Sequence, residues 1–145
     1  GIPSFSPEHF RYVNNADPMK SKQLYKGLDQ LMDEGVAQLF TLDMNGRRVI
    51  GTVGALQYEV IQYRLEHEYG AKCSYENLHV HKACWVEPED IKNEEFKEFK
   101  RVKQRYLAKD KQGQLVFLAD SAFTIQMTQS KYPSVKLHFI SEFKN

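Results

Sequence analysis

The chain has 145 residues, 41% of them hydrophobic, with 20 Lys and Arg against 19 Asp and Glu. That length suits one ordinary domain or two small units sharing an interface, and the apolar share excludes a disordered tail. The balanced charge excludes the bulk basicity or acidity that would by itself announce nucleic acid or membrane, so any basic site must be a local patch.

Residues Phe5 to Val13 have strand composition after a Pro-rich entry, and "NNADP" stops the strand. Asp17 suits an N-cap and Pro18 a first helical turn, and Leu24, Leu28 and Leu31 then follow at i, i+4 and i+7 until Gly35 closes the helix. "VAQLFTLD" alternates as a strand, Asn45-Gly46 signals a hairpin, and Val49 to Val53 returns as the partner. From Gly54 a second helix runs to Gly70, with Leu56, Val60 and Tyr63 expected on its buried face. "AKCSYENL" and "HVHKACWVE" read as strands. The first half thus spells strand, helix, strand, strand, helix, strand, which is an α+β, ferredoxin-like split βαβ sandwich with both helices on one face of an antiparallel sheet.

A third helix is expected from Asp90 to about Tyr106, with Phe96, Phe99, Val102 and Tyr106 as its apolar stripe. Its acids (Asp90, Glu94, Glu95) come early and its bases late, matching the helix dipole. "AKDKQG" reads as a turn and "QLVFLA" as a buried strand. "DSAFTIQMTQSKYP" reads as a helix capped by Asp120 or Ser121, and "SVKLHFI" as the last strand. These later elements form a second small α/β lobe, with the boundary near residues 78 and 79. No internal repeat is evident.

No apolar run approaches the ~18 residues of a membrane-spanning helix and no charged-then-apolar leader is seen, so the chain reads as soluble and intracellular. Cys73 and Cys84 are too few and too poorly spaced for a disulfide framework and read as reduced thiols. The opening "GIPSFSPEHF" suggests a piece excised from a longer protein, although tag removal from a complete short one would look the same.

Chemistry is sparse. Gly51 and Gly54 stand where a strand gives way to a helix, but the lysine and hydroxyl of a phosphate loop do not follow, nor does a third glycine. The pair reads as a packing turn. His79 and His81 would share one face of a strand, yet Cys84 would point to the opposite side, so no third metal ligand is at hand. Cys84 beside Trp85 reads as a small core residue rather than a nucleophile. Glu66 with Glu68, and Glu87 with Glu89, read as solvated pairs rather than acid–base machinery. Two basic clusters remain: Arg47 and Arg48 at the hairpin tip, and Lys100, Arg101, Lys103 and Arg105 late in the third helix. Either would suit RNA phosphates, with dipole compensation as the structural alternative for the helix.

The blocks "FSPEHFRYV", "DPMKSKQLYKGLDQLMDEG", "GTVGALQYEVIQYRLEHEYG", "CWVE" and "YPSVKLHF" resemble, in order and spacing, the C-terminal region of bacterial peptide chain release factor 3, the translational GTPase of termination. The resemblance covers essentially the whole chain. It implies the third domain of a factor that also has a GTP-binding domain and a β-barrel domain in cis. It also implies similarity to a domain of elongation factor G, and a part in GTP-dependent dissociation of a class I release factor from the ribosome in the cytoplasm. On that reading the fragment is not itself an enzyme and carries no cofactor. GTP or GDP with Mg would bind in the N-terminal part, the ribosome would be the partner, and no membrane would be involved. Arg47, Arg48, Lys100, Arg101, Lys103 and Arg105 become candidate ribosome contacts. Relatives often carry arginine where this chain has Cys84, and the hairpin looks variable in the family, so the resemblance by itself implies no contact at either place. Two other readings remain beside this one: the equivalent domain of an elongation-factor-G-like GTPase, and a stand-alone ferredoxin-like sensor of a small ligand.

Overall fold

A computed structural model describes residues 5–87 and 93–140. Within them, strand β1 spans His9–Asn15, later than its strand-like composition suggests. Asp17 caps a 3₁₀ turn, Pro18–Lys20, by accepting from the Met19 N–H at 3.0 Å, and helix α1 follows over Ser21–Asp33. Leu24, Leu28 and Leu31 are buried along it, as their spacing predicts. Strands β2 (Gln38–Leu42) and β3 (Arg48–Thr52) form the expected hairpin. Only Gly46 takes a left-handed conformation in its loop, and its N–H donates to the Leu42 carbonyl at 2.9 Å. Helix α2 runs over Gln57–Tyr69 and ends on left-handed Gly70, and β4 is Cys73–Asn77. The sheet order β4-β1-β3-β2 is that of a ferredoxin-like βαββαβ unit.

Past β5 (Lys82–Val86) and helix α3 (Glu94–Val102) come β6 (Leu107–Lys109), β7 (Leu115–Ala119), helix α4 (Ala122–Lys131) and β8 (Leu137–His138). This second half repeats the topology of the first: β5-α3-β6-β7-α4-β8 is again βαββαβ, and its strands stand in the order β6-β7-β5-β8. The two units meet through equivalent strands, β2 against β6, so all eight form one antiparallel sheet. The seam is short, pairing Thr41 with Lys109 and Leu42 with Ala108.

Alternation along the strands sorts the core into three layers. Leu39 and Ile50 lie with Leu24, Leu28, Ile61 and Leu65 under α1 and α2. Cys84, Phe117 and Leu107 lie with Phe99, Ile125 and Tyr132 under α3 and α4. The opposite sheet face carries Phe10, Phe40, Leu42, Val49, Trp85, Val116 and Leu118, all buried, with no helix residue among them. The sheet therefore curls, its two halves closing on each other with all four helices outside, and the Phe40 and Trp85 rings meet 5.9 Å apart across the fold.

Several expectations need correction. On α2 the buried residues are Tyr58, Ile61 and Leu65, whereas Leu56, Val60 and Tyr63 face solvent. The two sets have nearly the same helical spacing, so periodicity alone cannot choose between them. Helix α3 breaks at Lys103 into a 3₁₀ turn, Gln104–Tyr106, and of the expected stripe only Phe99 is buried, Phe96 being partly covered and Val102 and Tyr106 exposed. Asp90 lies outside the described residues. Residues 108–109, read as part of a turn, belong to β6.

Gly51 sits within β3 rather than in a turn. A Cβ there would come within 2.8 Å of Pro7 Cβ and 3.1 Å of Phe40 Cε2. Gly51→Val is therefore expected to cost about 1–3 kcal/mol despite valine's strand preference. A thermal melt unchanged from the parent would refute that close packing.

Candidate functional site

The two hairpin arginines do not form one prong. Arg47 precedes β3 and folds onto the concave side, its guanidinium 3.6 Å from the Tyr12 ring centroid. Its Nη2 donates at 3.2 Å to both Asn14 Oδ1 and Glu76 Oε2. Arg48, the first residue of β3, turns to the convex side and stacks 3.9 Å above Tyr25 of α1. Adjacent residues on an extended chain point to opposite faces, which separates them. Each stack contributes about 0.5–1 kcal/mol at an exposed site, so these arginines also have structural work. Sequence reasoning missed Tyr12 and Tyr25, whose signal would have been aromatic residues in the elements flanking the hairpin.

The second cluster is more open. Lys100 and Arg101 close α3, Lys103 sits at its break, and Arg105 lies in the following 3₁₀ turn. The Lys100 ammonium is 5.7 Å from the Phe96 ring and that of Lys103 is 5.8 Å from Phe117, so their stems cover the aromatic layer beneath α3 while the charges stay near solvent. Among the described residues none of Lys100, Arg101, Lys103 and Arg105 is ion-paired, unlike Arg47 with Glu76. Beyond the break that ends α3, the exposed Arg105 and Tyr106 stand at the rim of a cleft of about 160 Å³ that is also lined by Tyr12, Leu42, Leu78 and His79. Of the two basic clusters only Arg105 lines this cleft among the described residues; Arg47 is linked to it through the ring of Tyr12, on which it lies. The cleft is below the roughly 300–1,000 Å³ of a cofactor pocket and accommodates a single ring or side chain.

The remaining sequence candidates are dispersed. His79 and His81 precede β5 rather than lying in it, and no group of three metal-ligating side chains occurs among the described residues. Burial pushes the Cys84 thiol up to about 12 and raises that of Cys73, so neither is a ready thiolate. Glu68 accepts from Arg64 Nε at 2.7 Å, which holds its carboxyl below the usual range, and Glu66 lies 3.8 Å from Lys72. Glu87 lies 3.8 Å from His138, and Glu89 is outside the described residues. At the start of α2 the Gly54 N–H donates to Gln57 Oε1 at 2.9 Å, so the helix entrance is closed by its own side chain.

Compared with known families, residues 1–129 match the class II release factor RF3, C-terminal domain. The match runs from before β1 into α4 and so takes in both basic clusters and the residues that line the cleft.

Proposed function

Because the chain belongs to the class II release factor RF3 C-terminal domain family, we propose that it is the non-catalytic, ribosome-facing part of a translation-termination GTPase. It couples the nucleotide state of that factor's G domain to dissociation of a class I release factor. GTP or GDP with Mg binds in the G domain, and this chain works in the cytoplasm beside the G and β-barrel domains of the same polypeptide. The observation that carries the reading is a group of cations, Lys100, Arg101, Lys103 and Arg105, that have no ion-pair partner among the described residues and stand at a helix end fixed by a buried phenylalanine. Phosphate oxygens of ribosomal RNA suit such a surface, with Arg47 and Arg48 as further candidate contacts. Docking is by rigid-body movement: the packed sheet holds these charges in fixed relation while the G domain switches.

The test is co-sedimentation of the full-length factor with ribosomes carrying a class I release factor after peptide release, at two salt concentrations. Charge reversal at Lys100, Arg101, Lys103 and Arg105 is expected to weaken binding and to flatten its salt dependence by about one unit of log–log slope for each phosphate no longer neutralised. Binding equal to the parent at both salts would remove these residues from the interface. Deleting residues 1–145 is expected to abolish release-factor dissociation while nucleotide binding survives.

A further inference from the structure

The face of α2 that the sequence misassigned to the core is exposed: Leu56 is 69%, Val60 44% and Tyr63 62% accessible. Large apolar side chains grouped at helical spacing on a surface mark a contact with another molecule. Beside them, between α2 and β4, runs a groove of about 460 Å³ lined by Glu59, Gln62, Tyr63, Glu66, Lys72 and Cys73.

The groove's floor is the open edge of the sheet, since β4 stands last in the strand order. The Lys72 carbonyl accepts from the Ala16 N–H, towards the sheet, whereas the Cys73 carbonyl is turned outward and accepts from Gln62 Nε2 at 2.8 Å. Alternation along an antiparallel strand then points the N–H and C=O of Tyr75 and Asn77 outward as well. An extended segment can pair with those groups. The charge at the groove selects its character: Glu59 has no ion-pair partner among the described residues, and Glu66 meets only Lys72, at 3.8 Å. These carboxylates repel RNA phosphates and favour lysine or arginine, while Tyr63 and Val60 favour aliphatic side chains.

We propose that the α2–β4 groove binds an extended segment of a partner protein, adding it to the sheet as a further strand whose α2-facing residues, every second one along it, are by turns basic and apolar. Its apolar side chains rest on Tyr63 and Val60 and its cations meet Glu59 and Glu66. The second unit supplies a comparison. The corresponding groove between α4 and β8, of about 420 Å³, is lined by Pro133 and Leu137, and β8 is only two residues long. It has too little strand to template an addition.

The experiment titrates the isotope-labelled chain with a short synthetic peptide of repeating Lys-Ser-Val-Ser, which sets lysine and valine in turn on one face of a strand, alongside one of repeating Glu-Ser-Val-Ser. The lysine peptide is expected to shift the amides of residues 57–66 and to slow hydrogen exchange at Tyr75 and Asn77. Glu59→Lys and Tyr63→Ser, both at exposed positions that leave the core intact, are each expected to weaken it by about fivefold or more. Equal binding of both peptides, shifts confined to α4 and β8, or shifts on α2 without protection of Tyr75 and Asn77 would each overturn the proposal. The measurement contains no ribosome, so its result is independent of the reading of the basic surface.

Discussion

Trp85→Ala is expected to cost about 3–5 kcal/mol, a large part of the ~5–15 kcal/mol that holds a domain together. Trp85 is fully buried in the layer where the two halves of the sheet close on each other, packed against Phe40. Its Nε1 donates to Asp110 Oδ2 at 3.0 Å, and Asp110 Oδ1 accepts from the N–H groups of Gln112 and Gln114 in the β6–β7 turn. Truncation thus removes a ring from the shared core and frees the turn beside the seam. Trp85→Phe keeps most of the ring and is expected to cost less than half as much. Urea denaturation followed by near-ultraviolet dichroism reads both. A loss under about 1 kcal/mol for alanine would mean that this layer is not closed, since such a cost fits a solvent-exposed site.

Alkaline unfolding is the second large effect. Burial pushes the Cys84 thiol from its ordinary 9.0 up to about 12, and the Tyr58 hydroxyl, whose single O–H faces the backbone carbonyls of His9 and Ile50, from 10.0 to about 12. Cys73 and Tyr75 are raised too, again chiefly by burial. In the unfolded chain these groups release their protons near the ordinary values; in the folded protein they keep them. The folded state therefore binds more protons over that interval, and stability falls as pH rises through it. The contribution of Cys84 is whole below about 9 and gone above about 12, amounting to roughly 4 kcal/mol. Urea midpoints measured up this range are expected to fall steadily, and Cys84→Ala, though less stable at neutral pH, is expected to fall less. A parent midpoint that stayed level would contradict the buried thiol.

Much of the fold was legible because local chemistry agreed with tertiary structure. Asp17, Gly35, Gly46 and Gly70 punctuate the first unit where their backbone preferences require, and Leu24, Leu28 and Leu31 have a single face to bury. Helix α2 was ambiguous because both of its faces are apolar, and only packing against the sheet and α1 selects Tyr58, Ile61 and Leu65. The strand β6 was hidden because three residues beside a turn make no periodic pattern, although it joins the two units. The repeated topology was hidden for a related reason: a βαββαβ unit needs a pattern of burial rather than particular residues, so two copies need not resemble each other in sequence. Of the basic surface, the residue types were legible but not their company. Arg47 and Arg48 looked free at a hairpin tip, and nothing local shows that each lies on a tyrosine from another element.

The shared inner layer also sets how this protein moves. For the two units to swing about the β2–β6 seam, Phe40, Trp85, Val116 and their neighbours would have to separate and meet water, at about 1.5–3 kcal/mol for each large side chain. Against a thermal energy of about 0.6 kcal/mol, excursions of that kind are rare. The short seam is therefore not a hinge. The two units turn as one stiff body, and a small rotation imposed at β4 arrives at β8 as the same angle.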